Sequence, residues 1–246
     1  MPEMPEMALL LAVLVLSAPP GPTVPDGPTS VEVQWSVLQA TARVSNGRDF
    51  VSVATAVCLG TRNGESYFLT ANHAVPKGQA HVYEFFTKDS YPKPSRSLTD
   101  GDVVVRLPEA DLALVKVATG VEPPPVVRVA GPGQRPKRFP FPALSLGCPN
   151  ASAPLVRTER IAGKSLGRRT DDGFAFFWQM ADKPLAGMSG GPLLDAEGRL
   201  IGVCSEQKDG TGYFTHLDEV LAGLKRSGYG WLIAPVEPDA TRLPKR

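Results

Sequence analysis

Hydrophobic positions along the chain fall into short runs of β-branched and aromatic residues, cut apart by polar and glycine-bearing stretches. In the first half, from about Val31 to residue 117, these runs include Val51–Leu59, Tyr67–Thr70, His81–Phe86 and Val103–Leu107. Asn63-Gly64 and the stretch 88–101 read as turns or loops between them. Runs of this length and spacing suit an antiparallel barrel or sandwich. A second set follows at Ala143–Leu146, Leu155–Ile161, Phe174–Gln179 and Arg199–Ser205. Between the sets, residues 119–139 hold much of the proline and mark a crossing between two β halves of comparable length. Near the end the period changes: Leu217, Val220, Leu221 and Leu224 recur at helical spacing behind Thr215, with Asp218 three residues after it. That is a capping box opening a short amphipathic helix, stopped at Gly228. The pattern predicts an all-β fold in two halves, with one C-terminal helix packed on the second.

The beginning has a different character. Met7–Ala18 is an apolar run of about a dozen residues, well short of the roughly 20 that span a bilayer, and Pro19-Pro20-Gly21 follows at once. It reads as a signal peptide and so as export or secretion. Glu3 and Glu6 before it, and a poor small-x-small site near Ala18, leave a short membrane anchor as the other reading. The expected organisation is a leader at 1–18, a spacer at 19–30, a first half at 31–122, a linker at 123–139, a second half with its helix at 140–233 and a solvated tail at 234–246. The net charge of +1 across 246 residues offers no field that would draw nucleic acid. Three cysteines, Cys58, Cys148 and Cys204, are too few for a disulfide framework. They read as small buried hydrophobes, with a bridge between Cys148 and Cys204 left open.

Chemistry concentrates in the segment Gly187-Met188-Ser189-Gly190-Gly191-Pro192. Acyl transfer needs a hydroxyl held in the open, with backbone N–H groups aimed at the oxygen that becomes negative. Glycines beside Ser189 permit such a backbone, and the expected donors are the N–H groups of Gly187 and Ser189. A plain Gly-rich turn between strands is the competing account. A serine hydroxyl also needs a base. His73 lies directly after the apolar run Tyr67–Thr70, whereas His81 starts another strand and His216 begins the terminal helix, where a surface or capping role suffices. Asp111 heads the continuous apolar stretch Leu112–Val117. A buried aspartate there must be hydrogen-bonded, and an imidazole N–H would satisfy it while fixing the tautomer.

The strings TANHAV, DLALVKV and GMSGGPLLDAEGRLIGV, in His, Asp, Ser order, resemble the signature blocks of the trypsin-like (chymotrypsin-fold) serine peptidases. The likeness runs from about Val31 to Trp231 and is nearest to the bacterial branch that includes the HtrA proteases. It implies two six-stranded antiparallel barrels, with His73 and Asp111 from the first and Ser189 from the second. It implies a polypeptide substrate and no cofactor or metal, with no room after Trp231 for a PDZ domain. Ser205 matches the strand that pairs with substrate backbone and whose hydroxyl approaches the aspartate. Counting back from the nucleophile puts Lys183 near the base of the primary pocket and Glu206 near its rim. An inward Lys183 would favour acidic side chains before the scissile bond; a solvent-facing one would not. Met188 departs from the aspartate of the digestive enzymes, and Ala54-Thr55-Ala56 from the usual glycine-flanked block. Gly163-Lys164-Ser165 lacks the upstream glycine of a phosphate-binding loop. Asn150-Ala151-Ser152 would accept a glycan only in a host that glycosylates such sites. The alternative in another class is a catalytically silent peptidase-like module that binds protein in the same cleft.

Overall fold

The structure is a computed structural model that describes residues 31–46, 52–99, 101–170 and 173–233. The apolar leader, the spacer and the C-terminal tail of the sequence reading lie outside the described residues.

Seven strands build the first half: β1 (Thr41–Asn46), β2 (Ser52–Arg62), β3 (Glu65–Ala71), β4 (His81–Phe85), β5 (Arg96–Thr99), β6 (Asp102–Leu107) and β7 (Leu112–Ala118). They pair in the order β5-β4-β1-β2-β3-β7-β6, every neighbour antiparallel. The Asn63-Gly64 turn joins β2 to β3 with φ of 54° and 75°, the positive pair that matches the twist of a two-residue hairpin. Although β5 and β6 stand at opposite ends of the pairing order, only three Cα steps separate Thr99 from Asp102. At about 3.8 Å per step the two edges must meet within roughly 11 Å, so the sheet curls into an open barrel.

The second half closes fully. Strands β8 (Phe141–Gly147), β9 (Leu155–Thr170), β10 (Gly173–Met180), β11 (Pro192–Leu194), β12 (Leu200–Lys208) and β13 (Thr211–His216) form a barrel in the order β10-β13-β12-β11-β8-β9. The expected all-β architecture of two antiparallel bodies is therefore present, with seven strands in the first where six were expected. The extra one, β5, lies inside the stretch 88–101 that reads as loop, because its residues alternate between half-buried and exposed with no apolar run to announce them. One continuous core joins the bodies, running from Phe68 and Tyr83 to Leu146, Leu194 and Val203.

Two local expectations are corrected. The text from Val31 reads as β, yet Val31–Gln39 is a helix, α1. Val33 and Val37, one helical turn apart, pack over Gly198, and Trp35 meets the Tyr91 ring edge-on at 5.5 Å. Burial of that stripe outweighs the strand preference of valine, which is weak when tertiary contacts oppose it. The terminal helix α2 (Leu217–Arg226) buries Leu217, Val220, Leu221 and Leu224 as predicted, but its cap is His216, not Thr215. Thr215 stays in β13 and donates its hydroxyl to the Ala110 carbonyl at 2.6 Å, while His216 Nδ1 accepts from Asp218 N at 3.0 Å.

His216 is thus buried, at 1% exposure, against Trp178. Burial, with Lys164 and Arg135 adding to it, pushes its pKa down from the ordinary 6.5 to about 4. A histidine depressed in the fold takes up its proton preferentially when unfolded. Its contribution is therefore complete above about pH 6.5 and is lost as pH falls towards 4. The loss amounts to something on the order of 3 kcal/mol. Melting curves between pH 7 and pH 4 should show this decline in the wild type and a flatter response in His216→Asn, where the amide keeps a cap acceptor and cannot titrate.

Cys58, Cys148 and Cys204 are all buried and free, so no bridge forms between Cys148 and Cys204. Burial pushes the Cys58 and Cys148 thiols up to about 11 and about 12, which makes them inert packing groups.

Candidate active site

Strand register brings the imidazole and the carboxylate together. β3 and β7 pair with Ala71 opposite Leu112, so Asn72 and His73, just past one strand end, lie beside Asp111, just before the other. Asn72 N donates to the Asp111 carbonyl at 3.0 Å, and His73 N donates to Asp111 Oδ1 at 3.1 Å. A 3₁₀ turn at Asn72–Ala74 then presents the imidazole, whose Nδ1 lies 2.8 Å from Asp111 Oδ2 and 3.0 Å from Oδ1. Asp111 adopts the left-handed region at φ 52°, which aspartate tolerates better than most residues. Its side chain is 2% exposed and also accepts from Ser205 Oγ at 2.7 Å. A carboxylate this buried is sustained by such donors. With Nδ1–H committed to Asp111, the neutral ring has its lone pair on Nε2. Nε2 makes no hydrogen bond among the described residues, and the ring is 43% exposed.

Ser189 lies in the loop between β10 and β11. Glycine is required around it, and at two of these positions the backbone is also left-handed. Gly187 has φ +92°, and a Cβ there would fall 2.3 Å from the Cys148 carbonyl; Gly190 has φ +83°, and a Cβ there would fall 2.1 Å from the Thr55 carbonyl. The loop's amides divide into two sets. Met188, Gly190 and Gly191 donate to the carbonyls of Leu185, Cys204 and Met188. The N–H groups of Gly187 and Ser189 donate to no protein atom among the described residues, and both residues are only half-buried. Two unspent donors therefore lie beside the serine, one on each side of Met188.

Ser189 Oγ donates to the Ser205 carbonyl at 3.4 Å. Among the described residues no hydrogen bond joins it to His73 directly. The three side chains are linked in sequence instead, Ser189 to Ser205, Ser205 to Asp111 and Asp111 to His73.

The remaining residues singled out from sequence divide. Ser205 stands on β12 with its hydroxyl on Asp111. Glu206 follows it, exposed. Lys183 is exposed, and its carbonyl lies 3.5 Å from Arg157 Nη1. Met188 is wholly buried against Gly147, with Arg157 Nη1 3.5 Å from its sulfur. Gly163-Lys164-Ser165 lies within β9 and forms no loop.

Two residues make contacts that the sequence did not assign to them. Thr55, on β2 and fully buried, donates its hydroxyl to the Gly187 carbonyl at 2.8 Å and accepts from Cys148 N at 3.0 Å, while its N–H holds the Ser189 carbonyl at 2.8 Å. Arg106 on β6 holds the histidine turn, and its one signal was a lone cation in the apolar run Val103–Leu107.

A sequence profile of the trypsin-like peptidase domain matches residues 54–203, and the chain belongs to that family. It is accordingly a serine peptidase, a hydrolase of polypeptides. Solved structures share the fold. The active form of the Rv3671c protease from M. tuberculosis is 19% identical, with a TM-score of 0.62 over 86% of this chain and 93% of that one. The serine endoprotease from Yersinia pestis is 18% identical, with a TM-score of 0.60 over 85% of this chain and 68% of that one. The HtrA-type protease AlgW, solved with a tripeptide, is 22% identical, with a TM-score of 0.63 over 82% of this chain and 64% of that one. No curated protein sequence matches the chain. Among the described residues no helix is long and apolar enough to cross a membrane.

Proposed function

We propose that the protein is an endopeptidase that works through an acyl-enzyme, with Ser189 as nucleophile, His73 as base and Asp111 as the group that orients and charges the base. Ser189 Oγ attacks the scissile carbonyl carbon while His73 Nε2 takes the hydroxyl proton. The carbonyl oxygen, now negative, is received by the N–H groups of Gly187 and Ser189. His73 passes the proton to the leaving amine as the C–N bond breaks, and then accepts one from the water that hydrolyses the ester. Asp111 stabilises the imidazolium in both halves of the cycle. The observation that carries this reading is the buried Asp111 carboxylate on His73 Nδ1, which leaves Nε2 as the available base. The 3.4 Å contact of Ser189 with the Ser205 carbonyl is weak, and rotation about χ1 releases the hydroxyl from it. We further read Met7–Ala18 as an export signal, which places the reaction outside the cytoplasm.

A fluorophosphonate probe tests the proposal, because it phosphonylates only a serine activated by such a base. Folded protein should take up one label, mapped by peptide sequencing to Ser189, and protein denatured beforehand should take up none. Folded protein that stays unlabelled would remove the hydrolytic mechanism and leave a module that binds polypeptides in the same cleft.

A further inference from the structure

We propose that Arg106 is a positioning residue for the proposed base: its guanidinium grips both ends of the turn that carries His73 and so sets where the imidazole stands. The inference rests on the reading of His73 as the base. The turn runs from Asn72 to Val75. Arg106 Nη1 donates to Asn72 Oδ1 at 2.9 Å, just before His73, and Nη2 donates to the Val75 carbonyl at 2.6 Å, two residues after it. Asn46 Nδ2 adds a bond to the Ala74 carbonyl at 2.9 Å. On the outer side Asn72 N is fixed to the Asp111 carbonyl.

Arg106 is suited to this by chemistry. A guanidinium is planar and presents its two Nη groups at a fixed spacing, so two acceptors bound by the same fork are fixed relative to one another. An ammonium is a single centre and imposes no such spacing. Arg106 has no carboxylate partner among the described residues, so its position is not explained by an ion pair. Its strand, β6, pairs with β7, which begins one residue after Asp111. One sheet therefore fixes the carboxylate directly and the base through Arg106. The Val75 carbonyl belongs to a fully buried residue and would be left without a partner if the fork were removed.

The cation has a second neighbour that can serve as a control. His81, buried on β4, is held below its ordinary pKa by burial and then by the charge of Arg106. His81 therefore senses the charge at position 106, whereas His73 senses the fork.

The test compares wild type with Arg106→Lys, Arg106→Gln and Asn72→Ala, measuring kcat and KM on a peptide, the rate of fluorophosphonate labelling, and the NMR signals of the two histidines. Arg106→Lys keeps the charge, so the His81 titration should not move. Its kcat and labelling rate should nevertheless fall by about 10- to 100-fold, with KM changed less than about twofold, as expected when a reacting group is displaced by up to about 1 Å. Asn72→Ala, which removes one acceptor, should lie in the same direction. If Arg106→Gln fails to fold, the other two variants decide the matter. Wild-type kcat in Arg106→Lys would overturn the proposal and leave Arg106 an electrostatic or structural residue. Failure of the triad reading is separately visible: wild type would then be unlabelled, and the His73 Nδ1–H resonance alone would judge the clamp, shifted in Arg106→Lys if it holds and unchanged if it does not.

Discussion

Asp111→Asn should fold, bind peptide with a KM close to that of wild type, and turn over about 10⁴-fold more slowly. The carboxylate is an acceptor on both oxygens: Oδ1 takes the His73 backbone N–H, and Oδ2 takes the Ser205 hydroxyl and the imidazole Nδ1–H. An amide of the same shape offers one acceptor and one NH₂ donor. Whichever way it sits, its NH₂ faces a group that was itself donating. The histidine is the partner that yields most readily, by moving its proton from Nδ1 to Nε2 so that Nδ1 can accept. With the proton on Nε2 the ring has no lone pair to offer Ser189, and the buried negative charge that would stabilise an imidazolium is gone as well. Because the side chain is 2% exposed, solvent cannot restore the missing charge. Steady-state rates on a peptide substrate, with circular dichroism to establish folding, check this; a loss below tenfold in folded Asp111→Asn would contradict the assigned role.

The His and Asp parts of the site were legible because each lies at a strand end and each strand announces itself. Ala71 pairs with Leu112, and that one register places both residues. The serine segment was legible through its glycines, whose need is local. Other features depended on contacts far apart in sequence. Thr55 looks like any β-branched strand residue, yet its partners are 93 and 132 positions away. Lys183 could be placed by counting from Ser189, but counting gives no side-chain direction, and the chain there turns the lysine outward. The α1 segment alternates Val31, Val33 and Trp35 as a strand would; only its packing on Gly198 and Tyr91 decides for a helix. His216 displaced Thr215 as the cap because Ala110, across the fold, had already engaged the threonine hydroxyl.

Thr55→Val should cost both stability and rate. Valine keeps the branching and the β preference of the strand, so the change removes little but the hydroxyl. That hydroxyl joins the two bodies at the most sensitive place, donating to the Gly187 carbonyl at 2.8 Å and accepting from Cys148 N at 3.0 Å. Cys148 is fully buried, and its N–H would be left unpaired, at a cost of about 1–3 kcal/mol. The carbonyl of Gly187 would be released too, and with it the peptide that links the two unspent donors. Gly187, at φ +92°, leaves no room for a Cβ beside the Cys148 carbonyl, so a shift of Cys148 and loss of the Thr55 bond act on the same residue. If one of the two donors loses the aim that the proposed mechanism requires of it, kcat should fall by about 10²- to 10³-fold with KM little changed. Thr55→Ser is the discriminating partner: it restores the hydroxyl and lacks only a methyl group, so it should lose stability with kcat near wild type. A Thr55→Val protein that melts lower yet turns over as fast as Thr55→Ser would mean that the loop holds its shape through the Thr55 N–H bond to the Ser189 carbonyl alone, because valine leaves that bond intact.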